Sequence, residues 1–92
     1  FVKSEELKDG WNRDKILNEI NLLDVPCYTG ACSEVYLEKA FDNTGLRPKE
    51  RLVNAKELGE TSLMFLVHPT LSKDEIHQTC NIITSTMNLA TR

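Results

Sequence analysis

"SLMFLVHPTLSKDEI", residues 62–76, carries the reading that decides the fold. Leu63-Met64-Phe65-Leu66-Val67 shows no alternation of apolar and polar residues, the pattern of a strand covered on both faces. His68 precedes Pro69, which biases it to an extended conformation and ends the strand. Ser72 and Glu75 are spaced as a capping box, with Leu71 and Ile76 available as its hydrophobic staple. The helix that follows carries Ile76, Cys80, Ile83, Met87 and Ala90 on one stripe, thinning to a methyl group at its end. A core strand running directly into an amphipathic helix therefore frames an α+β domain.

The elements upstream complete that frame. Asp9-Gly10 is a turn signal, and Asn12 is placed to cap a helix whose apolar residues are Ile16, Leu17, Ile20 and Leu23, with Trp11 stapled onto Ile16. Pro26 forbids a continuing helix, so residues 25–30 read as a short edge strand entering a loop. Ser33 and Glu34 then suit the start of a second, short helix over "SEVYLEKAFDNTG", closed by Gly45. Pro48 suits the first position of a third helix with Leu52, Ala55 and Leu58 on its apolar face and Gly59 just past its end. The expected architecture is two to three strands covered by about four helices, the first and last helices packing on the sheet.

Composition narrows the function classes. The 92 residues suffice for one small domain. Eleven Lys and Arg against fourteen Asp and Glu give a net charge of -3, which speaks against a nucleic-acid footprint. Three cysteines at uneven spacing do not form a secreted disulfide framework, and no run approaches the roughly 18 apolar residues of a membrane helix. The expected location is cytoplasmic. The chain opens on Phe1-Val2-Lys3 as though a strand had been cut in mid-course, the mark of an excised domain.

Candidate chemistry is sparse. His68 reads either as a ligand-facing imidazole or, preferably, as a strand-exit residue bonded locally. Cys27 and Cys32 lack the second close pair that a zinc site needs, and Cys32 lacks a histidine near it in sequence for thiol catalysis, so neither a metal site nor a catalytic residue is assigned. None of the lysines at 3, 8, 15, 39, 49, 56 and 73 has the apolar surroundings that would suit imine chemistry. "CYTGACSEVY", residues 27–36, combines a flexible glycine, four hydroxyls and an acid. It suits a ligand loop and a plain strand-to-helix connector equally.

Two stretches, "NRDKILNEINLLDVPCYTGACSEVYLEKAF" and "RLVNAKELGETSLMFLVHPTLSKDEIHQTCNII", resemble the C-terminal small domain of the pyridoxal-phosphate-dependent sugar aminotransferases of the DegT/DnrJ class. The resemblance runs from about Asn12 to about Met87 and rests on Arg13-Asp14, Val25, Ala55, Leu58, Leu63, Leu66, His68-Pro69, Leu71, Glu75-Ile76 and Ile82-Ile83.

The resemblance implies that residues 1–92 form the small domain of a fold-type I transferase whose parent moves an amino group from glutamate to a keto sugar nucleotide, for glycan synthesis. It implies pyridoxal phosphate held by a large domain outside this chain, a homodimeric parent and a fragment that is inactive alone. It tilts the loop toward function, with Tyr28, Thr29, Ser33, Glu34 and Tyr36 bonding sugar hydroxyls or the diphosphate. Where many members carry a His-Tyr pair, this sequence has Gly30-Ala31. It also places His68 in the hinge between core strand and last helix. The competing reading is a free-standing α+β binding or regulatory module acting through the same loop.

Overall fold

The computed structural model describes all residues 1–92. Three α-helices, α1 (Arg13–Leu22), α2 (Val53–Thr61) and α3 (Lys73–Ala90), alternate with two short strands, β1 (Cys27–Tyr28) and β2 (Met64–Phe65). The strands pair antiparallel, with Cys27 opposite Phe65 and Tyr28 opposite Met64. Single 3-10 turns lie at Ser4–Glu6, Val35–Leu37 and Lys39–Phe41.

Helix α1 begins where its cap predicts. The Asn12 side chain accepts the Lys15 backbone N–H at 2.8 Å, and the Lys15 ammonium lies 4.4 Å from the centre of the Trp11 ring. Ile16 and Ile20, one turn apart, are fully buried where α1 meets α3 and β1. Asp24, at φ 61, takes the left-handed conformation that closes the helix end and turns the chain into β1. Around the two isoleucines gather Val2, Leu7, Val25, Cys27 and Ala90, flanked by Trp11, Leu63, Phe65, Ile83 and Met87.

The first ten residues close this core as a strap. Phe1–Lys3 does not form the strand expected of it: Val2 is buried and donates to the Thr61 carbonyl at 2.9 Å, and the chain then turns. Leu7 bridges Thr91, and the Lys8 ammonium donates to the carbonyls of Leu89 at 3.0 Å and Asn88 at 3.3 Å. A cation at those terminal carbonyls also complements the negative end of the α3 dipole.

Three expectations need correction. The helix expected over residues 33–45 is two separate 3-10 turns broken at Glu38, whose ψ of 148 is extended. No residue of Val35–Leu37 or Lys39–Phe41 is buried, and a helix this short without a packed face does not persist in water. Arg47 organises the segment instead, donating to the carbonyls of Tyr36, Leu37 and Glu38 and to the Asp42 carboxylate at 2.7 Å. Secondly, α2 starts at Val53, well beyond Pro48, and Gly59 lies inside it.

Thirdly, the strand expected over residues 63–67 is paired only at Met64–Phe65, and it is not covered on both faces. Leu63 and Phe65 pack on the core, whereas Leu66 is 56% and Val67 92% exposed. The open side continues onto the first half of α3 as an apolar cleft of about 250 Å³ bordered by Leu66, Val67, Leu71, Ile76, Cys80 and Ile83. The α3 stripe therefore packs only over its second half, from Ile82 to Ala90. Its start is secured by the capping box itself: Glu75 N–H donates to Ser72 Oγ at 3.2 Å and Ser72 N–H to Glu75 Oε2 at 2.7 Å. These bonds hold the Glu75 carboxyl below its ordinary range.

Ile20→Ala is expected to cost about 2–5 kcal/mol in chemical denaturation, the range for emptying a packed site. Val67→Ala should stay within about 0.5 kcal/mol of the parent. Equal losses would mean that the 63–67 run is buried in solution.

Candidate functional site

Two backbone anchors fix where the loop after β1 begins and where α2 ends. The Asn21 carboxamide reads both polar groups of Cys27: Cys27 N–H donates to Asn21 Oδ1 at 3.1 Å and Asn21 Nδ2 donates to the Cys27 carbonyl at 2.9 Å. The side chain thereby satisfies backbone groups that an edge strand would leave to water. Burial pushes the Cys27 thiol up, so it behaves as a packed residue. On the other side, the Arg13 guanidinium donates to the carbonyls of Gly59 at 3.1 Å and Ser62 at 3.0 Å, while its Nε holds Asp14 at 2.6 Å. A cation bound to the last carbonyls of α2 is favourable for the same dipole reason as at α3.

Between these anchors the loop turns at Gly30, whose φ of 88 favours glycine, and folds against α2. The approach is close at Gly59, where an added Cβ would sit 2.6 Å from Ser33 Oγ. A concavity of about 420 Å³ opens between loop residues 29–34 and the Gly59–Glu60 turn of α2.

The outer end of the loop is bolted by charge. Arg51 donates Nε and Nη2 to the two carboxylate oxygens of Glu34, each at 2.6 Å. Tyr36 Oη donates to Glu34 Oε1 at 2.8 Å and accepts the Leu52 backbone N–H at 2.9 Å, at the start of α2. Such a forked pair is the strong geometry for arginine and carboxylate. The Arg51 guanidinium holds the Glu34 carboxyl down to about 2, and it is itself raised by the same bond. Burial, with the Glu34 carboxylate beside it, raises the Tyr36 hydroxyl.

The five residues expected to meet a ligand thus separate. Thr29, Ser33 and Glu34 border the concavity, and neither Thr29 nor Ser33 bonds another group of the chain through its hydroxyl. Tyr36 stands behind Glu34 as a brace, and Tyr28 is exposed on β1 away from the concavity. Arg51, Gly59 and Glu60 escaped the sequence reading because they meet the loop only through the tertiary fold. His68 bonds its own turn: Nδ1 lies 3.2 Å from the Thr70 N–H that it accepts and 2.7 Å from Thr70 Oγ1, and Leu71 N–H donates to the His68 carbonyl at 3.1 Å. Exposed and engaged locally, it punctuates the strand-to-helix turn. Cys32 is exposed, with Sγ 3.7 Å from Glu38 Oε1.

No protein-family model and no curated protein matches the chain. Among solved structures, it is similar to the aminotransferase from Psychrobacter cryohalolentis, with 62% identity and a TM-score of 0.91 over 96% of this chain and 22% of that chain. The fold is that of a segment of an aminotransferase. The α+β expectation holds in that form, with three α-helices in place of four.

The Glu34–Arg51 pair has a pH signature. A carboxyl whose folded value lies below its ordinary 4.5 contributes stability that is complete above that value and is lost as pH falls toward about 2. In a carbon-detected NMR titration, Glu34 should have its midpoint near 2 and return toward the ordinary range in Arg51→Met. A Glu34 midpoint unchanged by Arg51→Met would remove the pair from solution.

Proposed function

We propose that residues 1–92 are the C-terminal small domain of a pyridoxal-phosphate-dependent aminotransferase of the DegT/DnrJ class. In this reading the parent transfers an amino group from glutamate to a keto sugar nucleotide, and the concavity beside residues 29–34 is one wall of the sugar pocket. The observation that carries it is the 62% identity to an aminotransferase across 96% of the chain. Because the chain spans only 22% of that enzyme, activity, substrate and partners belong to the parent.

The cofactor does not fit this chain alone. All seven lysines are exposed, the Lys8 ammonium is held by helix carbonyls and the Lys15 ammonium by the Trp11 ring. No lysine therefore sits in the dry, shaped site that imine formation needs. Pyridoxal phosphate belongs in this reading to the larger part of the parent, a homodimer, and the chain contributes binding surface without a catalytic residue. The open apolar side at Leu66, Val67 and Ile76 suits burial against that larger part, since a contiguous exposed apolar patch marks a contact surface.

An antibody raised against this chain should detect a native product several-fold heavier than 10.5 kDa. The purified product should show the cofactor's visible absorbance, altered on adding glutamate. A product of 10.5 kDa would instead favour a free-standing module. In the parent, His68→Ala should lower the melting temperature more than the catalytic rate, given that its partners are backbone and side chain of Thr70. Unchanged melting with a large rate loss would reassign His68 to the reaction.

A further inference from the structure

We infer that residues 30–62 open and close as one cooperative unit on a neck formed by Gly30 and Ser62, while the core of α1, α3 and the paired strands stays folded. This behaviour does not depend on which substrate the parent takes.

The segment leaves the core and returns to it at a single place. A Cβ added to Gly30 would lie 3.4 Å from Ser62 Cβ, and just beneath that neck Tyr28 is paired with Met64. No residue of 29–61 is buried, and none packs on the cluster around Ile16 and Ile20. The radius of gyration is 16.3 Å against roughly 12 Å for a compact chain of this length, as a long excursion standing off from its core requires. At its base the excursion is tied across by two hydrogen bonds, Arg13 Nη1 to the Gly59 carbonyl at 3.1 Å and Val2 N–H to the Thr61 carbonyl at 2.9 Å.

Inside the excursion the contacts run from end to end. Arg51 and Tyr36 join Glu34 to the start of α2, Arg47 gathers the carbonyls of Tyr36, Leu37 and Glu38, and Ser33 lies against Gly59 near the end of α2. Lys56 adds to the same set, 4.0 Å from Glu60 Oε1 and close enough for its charge to lower the Glu34 carboxyl. Helix α2 has nine residues and no buried side chain, so it is too short to persist once its ties are broken. Loss of either the Arg13 tie or the Arg51 bolt therefore removes support from helix and loop together, whereas the core loses no apolar contact. Openings confined to regions with few buried contacts cost less than global unfolding. Both borders of the concavity, residues 29–34 and Gly59–Glu60, lie in the unit, so the concavity forms and disperses as a whole.

Amide hydrogen exchange on the native full-length product, followed by mass spectrometry in low urea, tests the unit. In wild type, amides of Val53–Thr61 should exchange at least about tenfold faster than the slowest amides of α1 and α3. Their rate should depend little on urea, because this opening exposes no apolar core. Arg51→Met breaks the unit beside the Leu52 end of α2 and should speed exchange at the Gly59 end equally, on the order of tenfold for one charge-assisted pair. Arg13→Met, acting at the Gly59 end, should speed the Leu52 end by a similar factor. Amides of α1 and α3 should keep their wild-type rates in Arg51→Met. Wild-type α2 exchanging as slowly as α1 and α3, acceleration confined to the end beside the substitution, or equal acceleration of α1 and α3 in Arg51→Met would each overturn the inference. The wild-type comparison and Arg51→Met decide the matter even where Arg13→Met, within α1, weakens the core.

Discussion

Two isoleucines one helical turn apart, Ile16 and Ile20, hold together everything that positions the loop. They are fully buried where α1 meets α3 and β1, and the N-terminal strap closes over the same cluster through Val2 and Leu7. Only eight residues of the chain are buried, so this seam has no second core to share its load. Small domains have little apolar area to set against chain entropy, and loss of one large side chain from such a core is a large fraction of their stability.

The loop itself is held by a different kind of force. From β1 onward the apolar contacts give way to directed bonds: Asn21 on the Cys27 backbone, Arg13 on the α2 carbonyls, Arg51 on Glu34 and Tyr36 on Leu52 N–H. Hydrophobic burial is non-directional and would tolerate a loop in several places. A forked guanidinium and a paired carboxamide each accept one geometry, so they set a loop without burying it. That is how residues 29–34 stay accessible and yet stand at a defined distance from α2, leaving the concavity beside Gly59 and Glu60.

The other side of the molecule has the opposite character. Leu66 and Val67 are more than half exposed and Ile76 nearly half, around an apolar cleft with no Asp, Glu, Lys or Arg on its border. The strap, the core and the bolted loop are complete within 92 residues, whereas this face presents apolar surface to water. The two sides of this segment, which spans 22% of the aminotransferase it is similar to, thus differ: one is set by directed polar bonds, the other is open and apolar.

Locally encoded features were legible in the sequence. The Asn12 cap, the Ile16–Ile20 stripe and the Ser72–Glu75 box all depend on residues within a turn of one another, and their geometry follows from spacing alone. The loop 27–36 was legible as a concentration of hydroxyls around a glycine, and Thr29, Ser33 and Glu34 do border a concavity. The helix expected at 33–45 failed because capping signals cannot supply an apolar face, and without one the segment relaxes into 3-10 turns tied by Arg47. Glu34 and Arg51 are 17 residues apart, and Ser33 and Gly59 are farther still, with no periodicity linking them. Sequence by itself determined the caps, the core seam and the place of the loop, because those rest on short-range sterics and periodic burial. Only the tertiary structure decided which loop residue borders the concavity and which is bound by a distant arginine, because a charge has no preferred partner until the chain folds and desolvation makes one pairing more favourable than water.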